Sequence, residues 1–377
     1  MPPLVSRVLS LFITSSVLSL AAIAVEEPIR VGGFASLTGK EATFGQAVRK
    51  GTVLAVEEVN ARGGVLGRPI ELLYDDDQSK AGEAATVVKK LISRDKVVAI
   101  LGGFTSGRTI EAAPIAQNAK IPLITPGGTA LEVTAKGDYI FRACFVDSFQ
   151  GDVMAKFARK SLKLRRVAVL SSATSAQSVG LAKIFRQRFV DSGGEIAADQ
   201  KYSDGDKDFR AQLTAIRAAG VEGIYVPGYY TESALICKQA RDLGLTIPLF
   251  GIDGWESPEL LSIGGKAVEG CYFSTHYSAE SNDPTVVAFN ERFHKRWGGS
   301  SDALSALGYD STMLLMDAIK RAGTTEGPKL RGSLATTKDF KGVTGIISLD
   351  AQRNATKSAV VLQVKDGKFT FVERVDP

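Results

Sequence analysis

The sequence predicts an α/β protein with two doubly wound parallel sheets, that is, sheets that carry helices on both faces. Short apolar runs rich in β-branched residues alternate with amphipathic helical segments from residue 29 onward. Such alternation is typical of parallel sheets, and it restarts near residue 147 as a second unit of similar size. The chain of 377 residues fits the two domains that this pattern requires, at roughly 100–200 residues per domain.

The first unit contains four predicted strands, each followed by a helix. Strand IRVGGFA precedes helix FGQAVRKGTVLAVEEVNAR, and strand IELLYDDD precedes helix AGEAATVVKKLISRD. One face of the first helix is predicted to be buried and consists of Val48, Thr52, Ala55 and Val59. Gly63 is the predicted end of this helix. Strands VVAIL and IPLIT complete the unit. The three carboxylates of residues 75–77 lack the ligand spacing of a calcium loop, which predicts a solvated strand end.

The stretch of residues 97–132 is the centre of the predicted site. Its two strands each run into a loop of glycine and hydroxyl residues, namely Thr105, Ser106, Gly127, Gly128 and Thr129. Neighbouring parallel strands place such loops at one sheet edge, where open α/β sheets bind ligands and helix N-termini favour anions. In the alternative interpretation the hydroxyls only cap helices, since Thr129 and Glu132 fit a capping box.

The second unit begins after YIFRACFVD, which we interpret as a short connection. Strands RVAVLSS, EIAADQKYS, GIYVPGYY and PLFGIDGW alternate there with helices. About a hundred further residues add two helices and a pair of strands, with Asp366-Gly367 as a hairpin turn. These elements are too few for a third core. We therefore expect them to pack on the first two domains and to make both domains discontinuous in sequence.

The first 24 residues predict a secretory signal peptide. One positive charge precedes the apolar stretch VLSLFITSSVLSL, and Ala22 and Ala24 supply the small residues of a cleavage site after Ala24. A membrane anchor is disfavoured because the apolar run is shorter than the ~20 residues that span a bilayer. We therefore expect an exported protein.

Composition and motifs argue against catalysis, cofactors and nucleic acid. The sequence contains no GxxxxGK[ST] loop, GxGxxG fingerprint or GxSxG elbow, and its net charge of +5 is scattered. No nucleophile stands with a base to activate it, so we expect no enzyme. Three cysteines, Cys144, Cys237 and Cys271, predict buried thiols rather than a zinc site, with a Cys237–Cys271 disulfide as an alternative. His294 lies among charged residues and predicts a solvated side chain.

An ordered set of motifs resembles the periplasmic leucine/isoleucine/valine-binding protein family, the substrate-binding components of amino-acid ABC importers. The set comprises LTG, AVEEVNARGGVLGRPIELLYDD, LGGFTS, IPLITPGGTALE, QARDLG and FGIDG, and ARGGVLGRPIEL is its most diagnostic stretch. The resemblance covers residues 28–377. It implies a type I periplasmic-binding fold, in which two lobes joined by three crossover strands close on a ligand. The lobes would comprise residues 28–146 with 276–357, and residues 147–275 with 358–377.

The resemblance also implies roles for particular residues. Ser106 and Thr129 look like the hydroxyls that hold a ligand carboxylate, together with the backbone of Gly127 and Gly128. Asp253 stands where the family pairs a carboxylate with the ligand ammonium. The implied aromatic and wall contacts are Phe44, Phe104, Thr105 and Tyr229. A zwitterion needs donors at one end and an anion at the other, which agrees with this arrangement.

Two departures from the family pattern leave the ligand open. Gln78 and Thr105 replace the two cysteines of a small disulfide near the ligand loop, and Gln177-Ser178 replaces a Tyr-Gly pair in the second lobe. We expect a monomer that binds an amino acid, branched-chain or similar, without a cofactor or metal, and delivers it to a membrane permease. The alternatives are an aromatic or other organic carboxylic acid in the same fold, or a ligand-sensing module.

Overall fold

The first lobe is built on a five-stranded parallel sheet. The computed structural model describes residues 27–377, so the predicted signal peptide lies outside the described residues. The elements of the first unit are β1 (Ile29–Ala35), α1 (Ala42–Ala61), β2 (Ile70–Asp76), α2 (Glu83–Ser93), β3 (Ala99–Gly102), α3 (Ser106–Ala119), β4 (Leu123–Thr125), α4 (Glu132–Ala135) and β5 (Ile140–Arg142). The strand order is β2-β1-β3-β4-β5, so the strand order reverses at β1.

The second lobe is built on a seven-stranded sheet. Its first elements are α5 (Asp147–Lys160), β6 (Arg166–Ser172), α6 (Ala176–Asp191), β7 (Glu195–Tyr202), α7 (Arg210–Ala218), β8 (Gly223–Tyr225), α8 (Tyr230–Asp242), β9 (Leu249–Gly251), α9 (Pro258–Gly264) and β10 (Tyr272–Thr275). The strand order is β15-β14-β10-β9-β8-β6-β7, in which β14 (Ala359–Lys365) and β15 (Lys368–Val375) come from the end of the chain. The predicted α/β class with two parallel-sheet lobes is confirmed.

The last hundred residues complete both lobes. Helices α10 (Pro284–Trp297) and α11 (Ala303–Ala322) pack on α1, where Phe289, Phe293 and Tyr309 share a core with Leu54 and Ala55. Strand β14 runs antiparallel to β10 and joins β15 through the predicted turn at Asp366-Gly367. The chain thus passes between the two sheets three times, around residues 143–146, 276–283 and 357–358.

Two local predictions are wrong. Residues 140–142 form strand β5 rather than a connection, because they pair with β4 inside the first sheet. Asp77 is fully buried and accepts a hydrogen bond from the Ser36 hydroxyl at 2.5 Å, so the predicted solvated strand end is wrong for Asp77, whereas Asp75 and Asp76 are partly exposed. Helix α12 (Gly327–Ala335) has no predicted counterpart, and a small sheet of β11 (Phe340–Gly342), β12 (Gly345–Leu349) and β13 (Ala355–Thr356) follows it.

The cysteines agree with the prediction of buried thiols. Cys144, Cys237 and Cys271 are all buried and free, and the sulfur atoms of Cys237 and Cys271 lie 3.9 Å apart without a bond. His294 is exposed on α10, as predicted. Across residues 27–377 no cluster of three potential metal ligands occurs, and no helix is both long and apolar enough to cross a membrane.

The contact between α1 and α11 depends on two glycines. A Cβ atom on Gly51 would collide with the Ser305 carbonyl oxygen, and one on Gly308 would collide with the Val48 carbonyl oxygen. Both obstacles are backbone atoms, which cannot rotate away as a side chain could. The two helices therefore approach more closely than any larger residue permits, and this contact fastens the returning segment to the first lobe.

We expect Gly308→Ala to lower the free energy of unfolding by about 1–3 kcal/mol, because the added methyl group forces the helices apart. Urea unfolding followed by circular dichroism measures the change. Gly332→Ala in α12 is the matched control, since no atom lies within 4 Å of its added Cβ. The control should be neutral or stabilising by about 0.4–1 kcal/mol. Equal effects of the two substitutions would refute the close-contact explanation.

Candidate functional site

A small cavity lies between the lobes at the carboxyl ends of their strands. Its lining residues are Phe104, Thr105 and Gly127 from the first lobe and Gln177, Tyr229, Asp253 and Gly254 from the second. The side chains fill it so closely that no water-sized sphere fits inside. A ligand can therefore occupy this place only after the lobes open or the lining side chains move.

Five of the nine residues assigned to the site from the sequence line this cavity. They are Phe104, Thr105, Gly127, Tyr229 and Asp253. The other four, Phe44, Ser106, Gly128 and Thr129, do not line it but are buried next to residues that do. Gly128 faces inward, because a Cβ on it would point at the Thr109 and Thr125 hydroxyls. Its contribution to the site is therefore confined to its backbone.

The loop of residues 127–130 is held in place by a buried arginine. Arg142, at the end of β5, is fully buried and donates to the carbonyl oxygens of Gly128 at 2.7 Å and Ala130 at 2.8 Å. The Ala130 amide donates to the Ser106 hydroxyl at 3.1 Å, and the Gly128 amide donates to the Thr125 hydroxyl at 2.8 Å. Since both faces of the loop are fixed, its shape is set before any ligand arrives.

The predicted capping box at Thr129 and Glu132 is wrong. Helix α4 begins at Glu132 with Leu131 as its N-cap residue, and no side chain caps it. The Thr129 hydroxyl instead accepts a hydrogen bond from Gln177 Nε2 of the second lobe, at 2.7 Å. Thr129 is fully buried, so this contact bridges the cleft in the interior of the protein.

Asp253 is a buried carboxylate that several donors surround. It follows β9 and is 4% exposed. Its Oδ1 accepts from Gln150 Nε2 at 3.0 Å, from the Gly254 amide at 3.1 Å and from Gln177 Nε2 at 3.4 Å. Burying an ionised carboxylate without such partners would be costly, and these donors offset that cost. Asp253 can therefore remain a hydrogen-bond acceptor inside the closed cleft.

His276 supports Asp253 from the segment between the lobes. Its Nε2 lies 3.2 Å from Asp253 Oδ2, and its ring stacks on Phe145 at a centroid distance of 3.7 Å. Burial lowers the pKa of His276 to about 4, against the opposing attraction of Asp253. The ring is therefore neutral near pH 7. Because a carboxylate only accepts, Nε2 carries the proton, and among the described residues Nδ1 has no hydrogen-bond partner.

Asp147 is a second buried carboxyl group close to the site. It opens α5, is 1% exposed, and its amide donates to the Thr129 carbonyl oxygen at 3.1 Å. Burial raises the pKa of Asp147 to about 8, which the nearby Thr129 hydroxyl and Arg142 oppose. Within the described part of the chain, neither carboxyl oxygen makes a well-formed hydrogen bond. Asp147 is consequently protonated near neutral pH.

Aromatic packing closes the cleft over the cavity. The Phe44 ring, 1% exposed, contacts Phe104 of its own lobe at 5.2 Å between centroids and Tyr229 and Tyr230 of the other lobe at 5.6 and 4.9 Å. The Tyr230 hydroxyl also donates to the Lys40 carbonyl oxygen at 2.6 Å. The structure therefore represents a closed arrangement of the lobes, in which Phe44 joins the two walls.

A buried glutamate sets the polarity of the first wall. Glu41 is 5% exposed, and its Oε2 accepts from the Thr105 hydroxyl at 3.0 Å, while Arg108 Nε lies 3.9 Å from the same oxygen. Burial raises the pKa of Glu41, and Arg108 opposes this shift. Because the Thr105 hydroxyl donates its hydrogen to Glu41, the oxygen can offer only lone pairs to a ligand.

Four polar residues of the site were not assigned from the sequence: Asp147, Gln150, Gln177 and His276. A signal existed for Asp147, since it follows an apolar run at the carboxyl end of a strand, as the predicted ligand loops do. Gln177 stood out only as a departure from the family pattern. Gln150 contacts Asp253, which lies more than one hundred residues later in the sequence, and His276 contacts Asp253 from more than twenty residues away. No local sequence pattern predicts contacts at such separations.

The raised pKa of Asp147 predicts a pH dependence of stability. From its ordinary value of 3.8 to about 8, the folded state binds a proton that the unfolded state has lost, so stability falls as pH rises through this range. We expect Asp147→Asn to reduce this fall by up to about 1.4 kcal/mol per pH unit. Burial also raises the pKa of Glu256 to about 8, and this group contributes the same pH dependence to the stability of both proteins.

Urea midpoints at pH 5, 6 and 7 measure this difference. Asp191→Asn, at an exposed position of α6, is the control and should leave the slope unchanged. An Asp147→Asn slope equal to that of the unsubstituted protein would show that Asp147 is ionised in the folded state.

Comparison with known proteins agrees with the two-lobed fold. The sequence profile described as periplasmic binding protein matches residues 28–368. The chain is similar to the structure of a leucine-binding protein, LivK, of Thermotoga maritima, at 39% identity and a TM-score of 0.89 over 93% of this chain and 99% of that one. It is also similar to the branched-chain amino acid transporter substrate-binding protein LivJ of Streptococcus pneumoniae in complex with isoleucine, at 35% identity and a TM-score of 0.88, covering 93% and 100% of the chains.

A more distant likeness extends to a protein with an aromatic ligand. The solute-binding protein of an ABC transporter from Rhodopseudomonas palustris, solved in complex with 3,4-dihydroxy benzoic acid, is 25% identical with a TM-score of 0.83, over 93% of this chain and 97% of that one. Since the profile covers most of the sequence, the assignment rests on the whole fold rather than on one motif. The chain belongs to the periplasmic binding protein family, whose members bind a substrate without transforming it.

Proposed function

We propose that this protein is the extracytoplasmic substrate-binding component of an ABC importer and that it binds an amino acid between its two lobes. The observation that carries the proposal is the polarity of the cleft. The first-lobe loops that carry Ser106, Gly127 and Thr129 stand across the closed cleft from Asp253, a buried carboxylate of the second lobe. A small zwitterion complements such a pair of walls, because it presents an anion to one and a cation to the other.

The carboxylate end of the ligand would bind at the first lobe. Ser106 stands at the N-terminus of α3, a helix of 14 residues, and helix N-termini favour anions. Arg142 donates to the carbonyl oxygens of the adjacent loop and so fixes its shape. It therefore shapes the subsite without contacting the ligand itself. The Thr129 hydroxyl already accepts from Gln177, and its own hydrogen can point either to Asp147 or to an anionic oxygen of a ligand.

The ligand side chain would contact an aromatic wall. Phe104 and Tyr229 line the cavity, and Phe44 packs against both. Rings in this position favour an apolar side chain, which agrees with the leucine- and isoleucine-binding proteins that the chain resembles.

Ligand would act by favouring the closed arrangement of the lobes. Thr129 and Asp253 belong to different lobes and come within reach of one small ligand only when the lobes approach each other. A zwitterion that contacts both residues therefore binds the closed state more tightly than the open one. Such differential affinity shifts the population toward closure. The closed protein, exported to the periplasm by the predicted signal peptide, would then deliver the amino acid to a membrane permease.

An organic carboxylic acid without an amine is the second candidate ligand. Similarity to a protein bound to 3,4-dihydroxy benzoic acid supports it. Such an acid brings no cation to Asp253, so its binding depends on the donors that the protein itself supplies to that carboxylate.

A thermal-shift screen of amino acids and organic carboxylic acids tests the proposal. A ligand at 100 times its dissociation constant adds about 2.7 kcal/mol of stability, which raises the unfolding temperature by several degrees. We expect branched-chain or similar aliphatic amino acids to give the largest shifts. If no amino acid shifts the transition and an aromatic acid does, the second candidate replaces the first.

Substitution of Asp253 tests the ammonium subsite. Asp253→Asn keeps the shape of the side chain and removes its charge, so amino-acid binding should weaken by about 1.5–3 kcal/mol, the value of a hydrogen bond to a charged group. Isothermal titration calorimetry measures the loss. Asp208→Asn, at an exposed position of the second lobe, is the control. Unchanged affinity of the Asp253→Asn protein would eliminate the ammonium role.

A further inference from the structure

Gln177 spans the cleft between the two groups that a ligand would join. It is the second residue of α6 and is 4% exposed, and its Nε2 lies 2.7 Å from Thr129 Oγ1 and 3.4 Å from Asp253 Oδ1. The backbone at this point is fixed, because the Ser175 hydroxyl caps α6 by accepting from the Ser178 amide. The two contacts therefore belong to a positioned side chain rather than a surface group.

The orientation of the Gln177 amide follows from its partners. Asp253 Oδ1 can only accept, so the nitrogen of the amide, and not its oxygen, must face it. The nitrogen carries two hydrogens, and the geometry directs one to each lobe. Gln150 differs in this respect, since its Nε2 contacts Asp253 and Ser274, both in the second lobe.

The Gln177 amide nitrogen makes the same two contacts that a ligand ammonium would make. A nitrogen donor between the Thr129 hydroxyl and the Asp253 carboxylate satisfies both groups, whether it belongs to an amino acid or to Gln177. Two nitrogens cannot occupy the same place. An amino acid must therefore displace the Gln177 amide from this position, whereas an acid without an amine has no nitrogen that competes for it.

We propose that Gln177 is a specificity-determining residue whose amide takes the place of a ligand ammonium, so that the site also accepts amine-free 2-oxo acids that match its amino acids in shape. This inference rests on the proposed function, because it assumes that Asp253 is the ammonium subsite. Without the Gln177 amide, an amine-free acid would leave Asp253 Oδ1 with the Gln150 and Gly254 donors alone, and buried polar groups that lose a partner are costly. With Gln177 in place, the carboxylate keeps its donor.

Paired ligands and paired variants test the assignment. L-leucine with α-ketoisocaproate and L-valine with α-ketoisovalerate differ only at the amine, and calorimetry gives the ratio of dissociation constants, oxo acid over amino acid, for each pair. Gln177→Leu keeps the bulk and removes the amide. Gln187→Leu is the matched control on the same helix, where the amide only contacts Asp191 at the exposed surface.

We expect the unsubstituted protein to bind both members of a pair and Gln177→Leu to raise the ratio by roughly tenfold or more, since only the oxo acid loses a donor. The control should leave the ratio unchanged. An unchanged or lower ratio in Gln177→Leu, or failure of the unsubstituted protein to bind oxo acids while it binds amino acids, overturns the role of Gln177 and leaves the proposed function standing. Binding of neither member of any pair refutes the proposed function instead.

A measurement without ligand tests the bridging contact by itself. If the Gln177 amide joins the lobes, Gln177→Leu should weaken closure and increase the radius of gyration of the ligand-free protein in small-angle X-ray scattering, whereas Gln187→Leu should not. Equal radii for Gln177→Leu and the unsubstituted protein would show that the amide does not hold the lobes together, and would overturn the inference whatever the ligand.

Discussion

The buried carboxylate of Asp253 is the constraint on which the rest of the site depends. A carboxylate removed from water requires donors on every accessible side, and each donor here comes from a different element. Gln150 reaches it from α5, Gln177 from α6 and His276 from the segment between the lobes. The need to satisfy one charge thus links the second sheet, two helices and a lobe connection. Any rearrangement of these elements changes what Asp253 can offer to a ligand.

The directions of the hydrogen bonds determine the character of the cavity more than the residue types do. Thr105 and Thr129 carry the same hydroxyl, yet the first gives its hydrogen to Glu41 and the second receives one from Gln177. Thr105 is consequently an acceptor toward the cavity, whereas Thr129 receives a hydrogen from the opposite lobe. Two threonines of the same lobe therefore differ in polarity because of the neighbours that each one contacts.

The sequence predicted the two-sheet fold and the loops at the strand ends, because both follow from local patterns. Alternating apolar segments predict strands and helices, and loops such as the one at Gly127 follow directly from the strands. The contacts of Gln150, Gln177 and His276 were not predictable in this way, since each joins residues distant in sequence. The capping box at Thr129 failed for a related reason: a partner from the other lobe engages the hydroxyl that a local rule assigns to the helix.

The threefold passage of the chain between the lobes has a consequence for the order of folding. Helices α10 and α11 cover the first sheet, while β14 and β15 form one edge of the second, and both pairs are synthesised last. Domains usually fold one after another as they emerge from the ribosome, the N-terminal one first. That order does not suit this chain, because the first lobe needs α10 and α11 and the second sheet needs β14, and all three follow the other elements of the second lobe in sequence. Truncation near the C-terminus should therefore disrupt a sheet whose first strand lies about two hundred residues earlier in the sequence.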